Sequence, residues 1–128
     1  MYLFVYGTLM RGYGNNHLLK DAEFFLKGYV QGSLYGFGVP GFIPSKEHIV
    51  YGEIYKVPNE GPLLDRIDAL EGHPNNYVRT AITCYYYGVE EDYELEAMVY
   101  VYPRAKEIGE LIPSGRYQDY RAPRTGTP

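Results

Sequence analysis

Glycines interrupt the strand-forming segments of this sequence at short intervals. Between Phe24 and Phe37, residues typical of strands are broken by Gly28, Gly32 and Gly36. A glycine inside a strand usually marks a bulge, a sharp bend or a close approach of two backbones. The chain holds fifteen Gly and sixteen Tyr but no Trp, and Tyr favours strands. This pattern predicts strongly bent strands, as in a small β-barrel, and disfavours a helical bundle.

The other segments complete a single α+β domain. Further strands are predicted at 2–6, 49–57, 77–87 and 95–102. One helix is predicted from Leu63 to Leu70 or Glu71, closed by Gly72. Residues 38–45 are expected to form a loop, and Asn16 is expected to cap a short helical turn that begins near His17.

The C-terminal residues have a different composition from the rest of the chain. Residues 117–128 are rich in Pro, Gly and Arg. We therefore expect residues 1–116 to form the domain and residues 117–128 to form a tail that lies on the surface or is disordered.

Charge and hydropathy exclude several classes of protein. The net charge of −4 and pI near 5.3 come with no block of basic residues, so a nucleic-acid partner is not expected. No stretch approaches the roughly 18 apolar residues that a spanning helix needs, so we expect no membrane partner. Cys84 is the single cysteine, which leaves no disulfide framework. We expect a cytoplasmic protein.

Three motifs for cofactors are incomplete. Gly7 and Gly12 have P-loop spacing, but Tyr13-Gly14 follows where Lys and Ser or Thr are required. The GxGxxG match at 36–41 contains a proline and precedes no predicted helix. The three histidines have no ligand spacing, and Cys84 shares strand parity with apolar residues, which indicates a core thiol. We therefore expect neither a metal nor another cofactor. The histidines are His17, His48 and His73.

Glu71 occupies an unexpected position on the predicted helix. At 100° per residue from Leu63, Glu71 falls at about 80°, between Ile67 at about 40° and Leu64 at about 100°. Burial on this apolar arc and the negative end of the helix dipole both raise the pKa of a carboxyl group, which suits a general acid or base. Alternatively, the helix frays at Leu70 and Glu71 points into solvent.

Two segments of the sequence resemble one protein family. They are FVYGTLMRG, followed by Asn16-His17, and LLDRIDALEGHPNNYVRT. Together they are similar to the γ-glutamylcyclotransferase-like superfamily, especially its γ-glutamylamine cyclotransferase branch. A weaker similarity lies in IPSGRYQDYR.

The resemblance implies a fold, an activity and a set of site residues. The fold would be a small mixed β-barrel with one main helix packed at its mouth. The activity would be conversion of a γ-glutamyl amine or γ-glutamyl amino acid to 5-oxoproline plus a free amine, without a cofactor. Glu71 matches the catalytic glutamate, and the loop that holds the glutamyl group through its backbone matches Tyr6, Gly7, Thr8 and Leu9.

Some questions stay open at this level. Tyr77 matches a family tyrosine that would hydrogen-bond the carboxylate or line the pocket, and it is equally consistent with a core tyrosine whose hydroxyl is wet. The same fold is compatible with a non-catalytic small-molecule binding module, and the same site with a γ-glutamyl hydrolase or transferase. The leaving amine and the oligomeric state do not follow from the sequence.

Overall fold

The described part of the chain contains six strands and two α-helices. The structure, a computed structural model, describes residues 1–120. The strands are β1 (Tyr2–Val5), β2 (Glu23–Gly36), β3 (Pro40–Lys56), β4 (Val78–Tyr86), β5 (Tyr93–Val101) and β6 (Glu110–Leu111). The helices are α1 (Pro62–Glu71) and the single turn α2 (Ala105–Ile108), with 3-10 helices at Asn16–Leu19 and Tyr117–Asp119.

Five of the strands close into a mixed barrel. Their order is β3-β1-β5-β4-β2, and β2 pairs again with β3, so this ring has no free edge. β1 and β5 run parallel, whereas the other neighbours in the ring are antiparallel. β6 adds two residues to β2. The predicted class, a small mixed barrel with one main helix, is confirmed.

The pairing of the long strands β2 and β3 is irregular at two places, one of which lies at a glycine singled out from the sequence. Their register shifts between Phe24 and Leu26 and again between Gln31 and Gly32. A Cβ atom at Gly32 would lie 2.1 Å from the ring of Phe42, so this position requires glycine for the close approach of the two strands.

The loop predicted at residues 38–45 is wrong, because β3 begins at Pro40. Proline is tolerated at the first residue of a strand and beside a bulge, where no ladder hydrogen bond is lost. Pro40 occupies the first position, and Pro44 pairs with Gly32 at the second register shift. The two prolines therefore start and bend a strand that continues to Lys56.

Alternation along β1 divides the core into two clusters. Phe4 points into the barrel and packs with residues such as Val30 and Ile54. Leu3 and Val5 point to the opposite side and pack in the cluster that includes α1. Successive residues of a strand face opposite sides, so four residues of β1 join the barrel interior to the helix.

Helix α1 packs against the barrel through one side. Pro62 stands at its start, and Leu63, Leu64 and Ile67 are buried. Gly72 ends the helix in the left-handed region with φ of 68°, a conformation that glycine adopts without strain. The predicted helix and its end are confirmed.

Three smaller predictions have mixed outcomes. The capping role of Asn16 is wrong, since Asn15 precedes the 3-10 helix and no side chain caps it. Cys84 is fully buried, and burial raises the pKa of its thiol to about 12, which confirms a core thiol. Within the predicted tail, the ring of Tyr117 packs near Tyr13 and Tyr120. Residues 121–128 lie outside the described part of the chain, and the proposed domain boundary stays a prediction.

Candidate active site

The end of β1 and the end of α1 line one cavity of about 280 Å³. The chain leaves β1 at Val5 and turns, with the Met10 N–H donating to the Gly7 carbonyl over 3.0 Å. All six residues singled out from the sequence line this cavity, namely Tyr6, Gly7, Thr8, Leu9, Glu71 and Tyr77. The structure thus brings together two segments that are far apart along the chain.

Glu71 is half-buried in the last turn of α1, and its side chain borders the cavity. Burial raises its pKa from the ordinary 4.5 to about 7, because a desolvated carboxylate is harder to ionise. Within residues 1–120 no Lys or Arg side chain pairs with it. Since α1 continues to Glu71, the alternative of a helix frayed at Leu70 is wrong.

Tyr6 and Tyr77 form buried walls of the cavity. The Tyr6 hydroxyl donates to the Tyr100 carbonyl over 2.7 Å, and the Tyr77 hydroxyl donates to the Pro40 carbonyl. Burial is the main cause that raises the pKa of both phenols. The charge of Glu71 comes next for Tyr77, whereas for Tyr6 the neighbouring Tyr77 comes before Glu71. Tyr77 therefore lines the pocket. It neither hydrogen-bonds the Glu71 carboxylate nor leaves its hydroxyl in water.

Two consecutive backbone N–H groups in the loop after β1 have no acceptor among the described residues. These are the N–H groups of Thr8 and Leu9. Both residues line the cavity. Consecutive unpaired N–H groups in a turn bind anions without any side-chain cation, so this loop suits a carboxylate or a developing oxyanion.

A polar network that the sequence did not reveal holds this loop in place. The Asn15 amide donates to the Thr8 hydroxyl over 2.8 Å, and the Asn16 amide donates to the Leu9 carbonyl over 2.8 Å. Behind them, the buried carboxylate of Glu53 accepts the backbone N–H of Arg11 at 2.9 Å. Satisfied buried networks of this kind fix a single loop geometry. The available signal is the pair Asn15-Asn16, of which only Asn16 is singled out from the sequence, as a helix cap.

Asp68, one helical turn before Glu71, ties α1 to the barrel. Arg79 on β4 donates two hydrogen bonds to its carboxylate at 3.0 and 3.1 Å, and the Tyr100 hydroxyl donates a third at 2.6 Å. Burial opposes ionisation of Asp68, but these hydrogen bonds outweigh it and lower the pKa of the carboxyl. Tyr100 also lines the cavity, so the network positions the helix that carries Glu71.

Asp68→Asn is expected to lower the free energy of unfolding by about 1–2 kcal/mol at pH 7, since hydrogen bonds to a charged group are lost. The folded pKa lies below the ordinary 3.8, so the stabilisation is present above that pH and is lost as the pH falls through the folded pKa. Urea denaturation at pH 7 and in acid measures both effects, with the exposed Asp65→Asn as control. Equal losses from the two variants at pH 7 would contradict the role of Asp68.

Most of the chain matches a known family model. Residues 3–119 match the model described as gamma-glutamyl cyclotransferase, AIG2-like. The chain belongs to this family. The match runs from β1 to the last 3-10 helix, so it includes both segments that line the cavity.

Relatives of this γ-glutamylcyclotransferase family member cover much or nearly all of its length. A Methanocaldococcus jannaschii protein named "Putative gamma-glutamylcyclotransferase" is 38% identical over 125 residues, which are 94% of this chain and 98% of the relative. The rat "Gamma-glutamylaminecyclotransferase" is 35% identical over 96 residues, which are 63% of this chain and 61% of the relative. The crystal structure of a mouse AIG2-like protein has a TM-score of 0.73 at 29% identity, covering 98% of this chain and 97% of that one.

The lengths and apolar character of the helices bear on whether they could span a membrane. In residues 1–120, neither α-helix has the length and apolar character needed to cross a membrane.

Proposed function

We propose that this protein is a γ-glutamyl cyclotransferase. It converts a γ-glutamyl amine or γ-glutamyl amino acid to 5-oxoproline and a free amine. One observation carries the proposal: Glu71, with its pKa raised to about 7, borders the same cavity as Thr8 and Leu9. Membership of the family supports the same reaction.

The reaction needs one group that accepts and returns a proton. The substrate's α-amine attacks its own γ-carbonyl carbon, a new N–C bond forms, and the proton lost by the amine passes to the Glu71 carboxylate. The bond to the leaving amine then breaks, and Glu71 returns the proton to that nitrogen. A pKa near the working pH suits both transfers, and no water is consumed.

Positioning supplies much of the remaining rate. The nucleophile and the carbonyl belong to one molecule, so the site needs only to hold the glutamyl chain folded upon itself. The N–H groups of Thr8 and Leu9 are available for the α-carboxylate or the developing oxyanion. The buried rings of Tyr6 and Tyr77 close the sides of the cavity, which keeps water from the carbonyl carbon.

The experiment that tests the proposal measures the product and not only the loss of substrate. Purified protein is incubated with γ-glutamyl amino acids, γ-glutamyl-ε-lysine and γ-glutamyl polyamines, and both 5-oxoproline and glutamate are quantified. 5-oxoproline with stoichiometric free amine supports the cyclotransferase. Glutamate instead would show a hydrolase, and a γ-glutamyl group moved to another amine would show a transferase. Tight binding with neither product would show a binding module.

A further inference from the structure

Part of the cavity lining is exposed to solvent, and we call this part the mouth of the cavity. Most lining residues are buried, but three are exposed to solvent: Val39, Leu70 and Asn76. Val39 is 46% exposed in the turn between β2 and β3, and Leu70 is 41% exposed in the last turn of α1. These three side chains therefore form the part of the lining that a group extending from the cavity into solvent can contact.

The exposure of Leu70 departs from what its sequence position indicates. Its helical angle, about −20° from Leu63, places it beside the apolar arc of α1, yet it does not join the core that buries Ile67. Leu70 instead borders the cavity next to Glu71. Single exposed apolar side chains are common on protein surfaces, but here two of them, from separate elements, line the mouth of one cavity.

The lining of the cavity offers little compensation for a charged leaving group. Among the described lining residues, Glu71 carries a carboxylate and no Lys or Arg is present. A second carboxylate, on the leaving amine, would therefore find no cation there. An ammonium on the leaving amine would pair with Glu71, which would lower the pKa of the group that must accept the proton.

We propose that Val39 and Leu70 form the subsite for the leaving amine. This inference rests on the proposed function. The site then selects γ-glutamyl amides whose amine carries an uncharged, apolar chain over amides whose amine carries a charge at the same distance. The apolar chain covers both side chains and removes them from water. A charged chain of equal length gains nothing from them and loses part of its hydration.

Three γ-glutamyl amides of matched length test this selectivity: those of n-butylamine, 1,3-diaminopropane and β-alanine. We expect kcat/KM for 5-oxoproline formation to be at least about tenfold higher for the n-butylamide than for either charged amide, the discrimination typical of an apolar pocket. Equal or higher values for a charged amide would overturn the inference, while 5-oxoproline from any of the three would still support the cyclotransferase.

Substitutions of Val39 and Leu70 test whether these two residues cause the selectivity for the apolar amide. Val39→Ser and Leu70→Ser leave the charge near Glu71 unchanged, and each is expected to lower kcat/KM for the n-butylamide about fivefold and for the charged amides less than twofold. Val89→Ser is the control, because Val89 is fully exposed between β4 and β5. Equal losses for all three amides would contradict a role in selectivity.

Binding separates failure of the inference from failure of the proposed reaction. Calorimetry with Glu71→Gln, and with wild type if turnover is absent, ranks the same three amides by affinity. Preferential binding of the n-butylamide without any 5-oxoproline would overturn the cyclotransferase and keep the apolar subsite. Equal affinities together with no product would overturn both.

Discussion

Glu71→Gln is expected to lower kcat/KM for 5-oxoproline formation by about 10²–10⁴-fold, the range for loss of a general acid or base. Glutamine has nearly the same shape as a protonated glutamate, so it fills the same position at the end of α1. It cannot accept a proton from the substrate's α-amine. The measurement is the initial rate of 5-oxoproline release, with circular dichroism to verify the fold.

Asp65→Asn is the matched control, because Asp65 lies on the exposed side of the same helix. Its kcat/KM should stay within about twofold of wild type, since the change lies away from the cavity. Activity of Glu71→Gln within twofold of wild type would show that Glu71 is not the acid or base.

Stability should move in the opposite direction from activity in Glu71→Gln. The folded pKa of about 7 exceeds the ordinary 4.5, so the folded state binds the proton more tightly than the unfolded state. In wild type, the stabilisation of the folded state by this bound proton is fully present below pH 4.5 and is lost as the pH rises through 7. Glutamine has no proton to lose, so at pH 8 the variant should be at least as stable as wild type.

Ile67→Ala is expected to lower the free energy of unfolding by about 2–5 kcal/mol. Ile67 is 0% exposed and packs in the cluster that joins α1 to β1. Removing its side-chain carbons loses apolar burial and leaves a cavity where the helix meets the barrel. Because this contact positions Glu71, activity should fall as well. Urea denaturation measures the first effect, and the 5-oxoproline assay measures the second.

Leu70→Ala is the stability control on the same helix. Leu70 is 41% exposed, so its truncation is expected to cost less than about 1 kcal/mol. A loss as large as that of Ile67→Ala would mean that Leu70 belongs to the core and not to the cavity mouth.

The parts of the fold that depend on local pattern follow from the sequence. The period of 3.6 residues identifies α1, Gly72 ends it, and the same period places Glu71 beside Ile67 on the inner side. The loop after β1 is found because Gly7-Thr8 interrupts an apolar run. Each of these features depends on residues that lie within about four positions along the chain.

The features that sequence reasoning missed depend on partners distant along the chain. Residues 40–45 form a strand because a shift in register with β2 accommodates Pro44. Asp68 is held by Arg79 and Tyr100, and Tyr77 donates to the Pro40 carbonyl. None of these partners lies within a local pattern, so no propensity or periodicity indicates them.

The dependence of kcat/KM on pH tests the central claim most directly. This quantity reports the ionisation of the free enzyme, and Glu71 must be ionised to accept the proton. Between pH 5 and 8, wild-type kcat/KM for 5-oxoproline formation should rise with an inflection near 7, matching the raised pKa of Glu71. The residual activity of Glu71→Gln should lack that inflection. A flat wild-type profile, or an inflection near the ordinary value of 4.5, would contradict the assignment of Glu71 as the base.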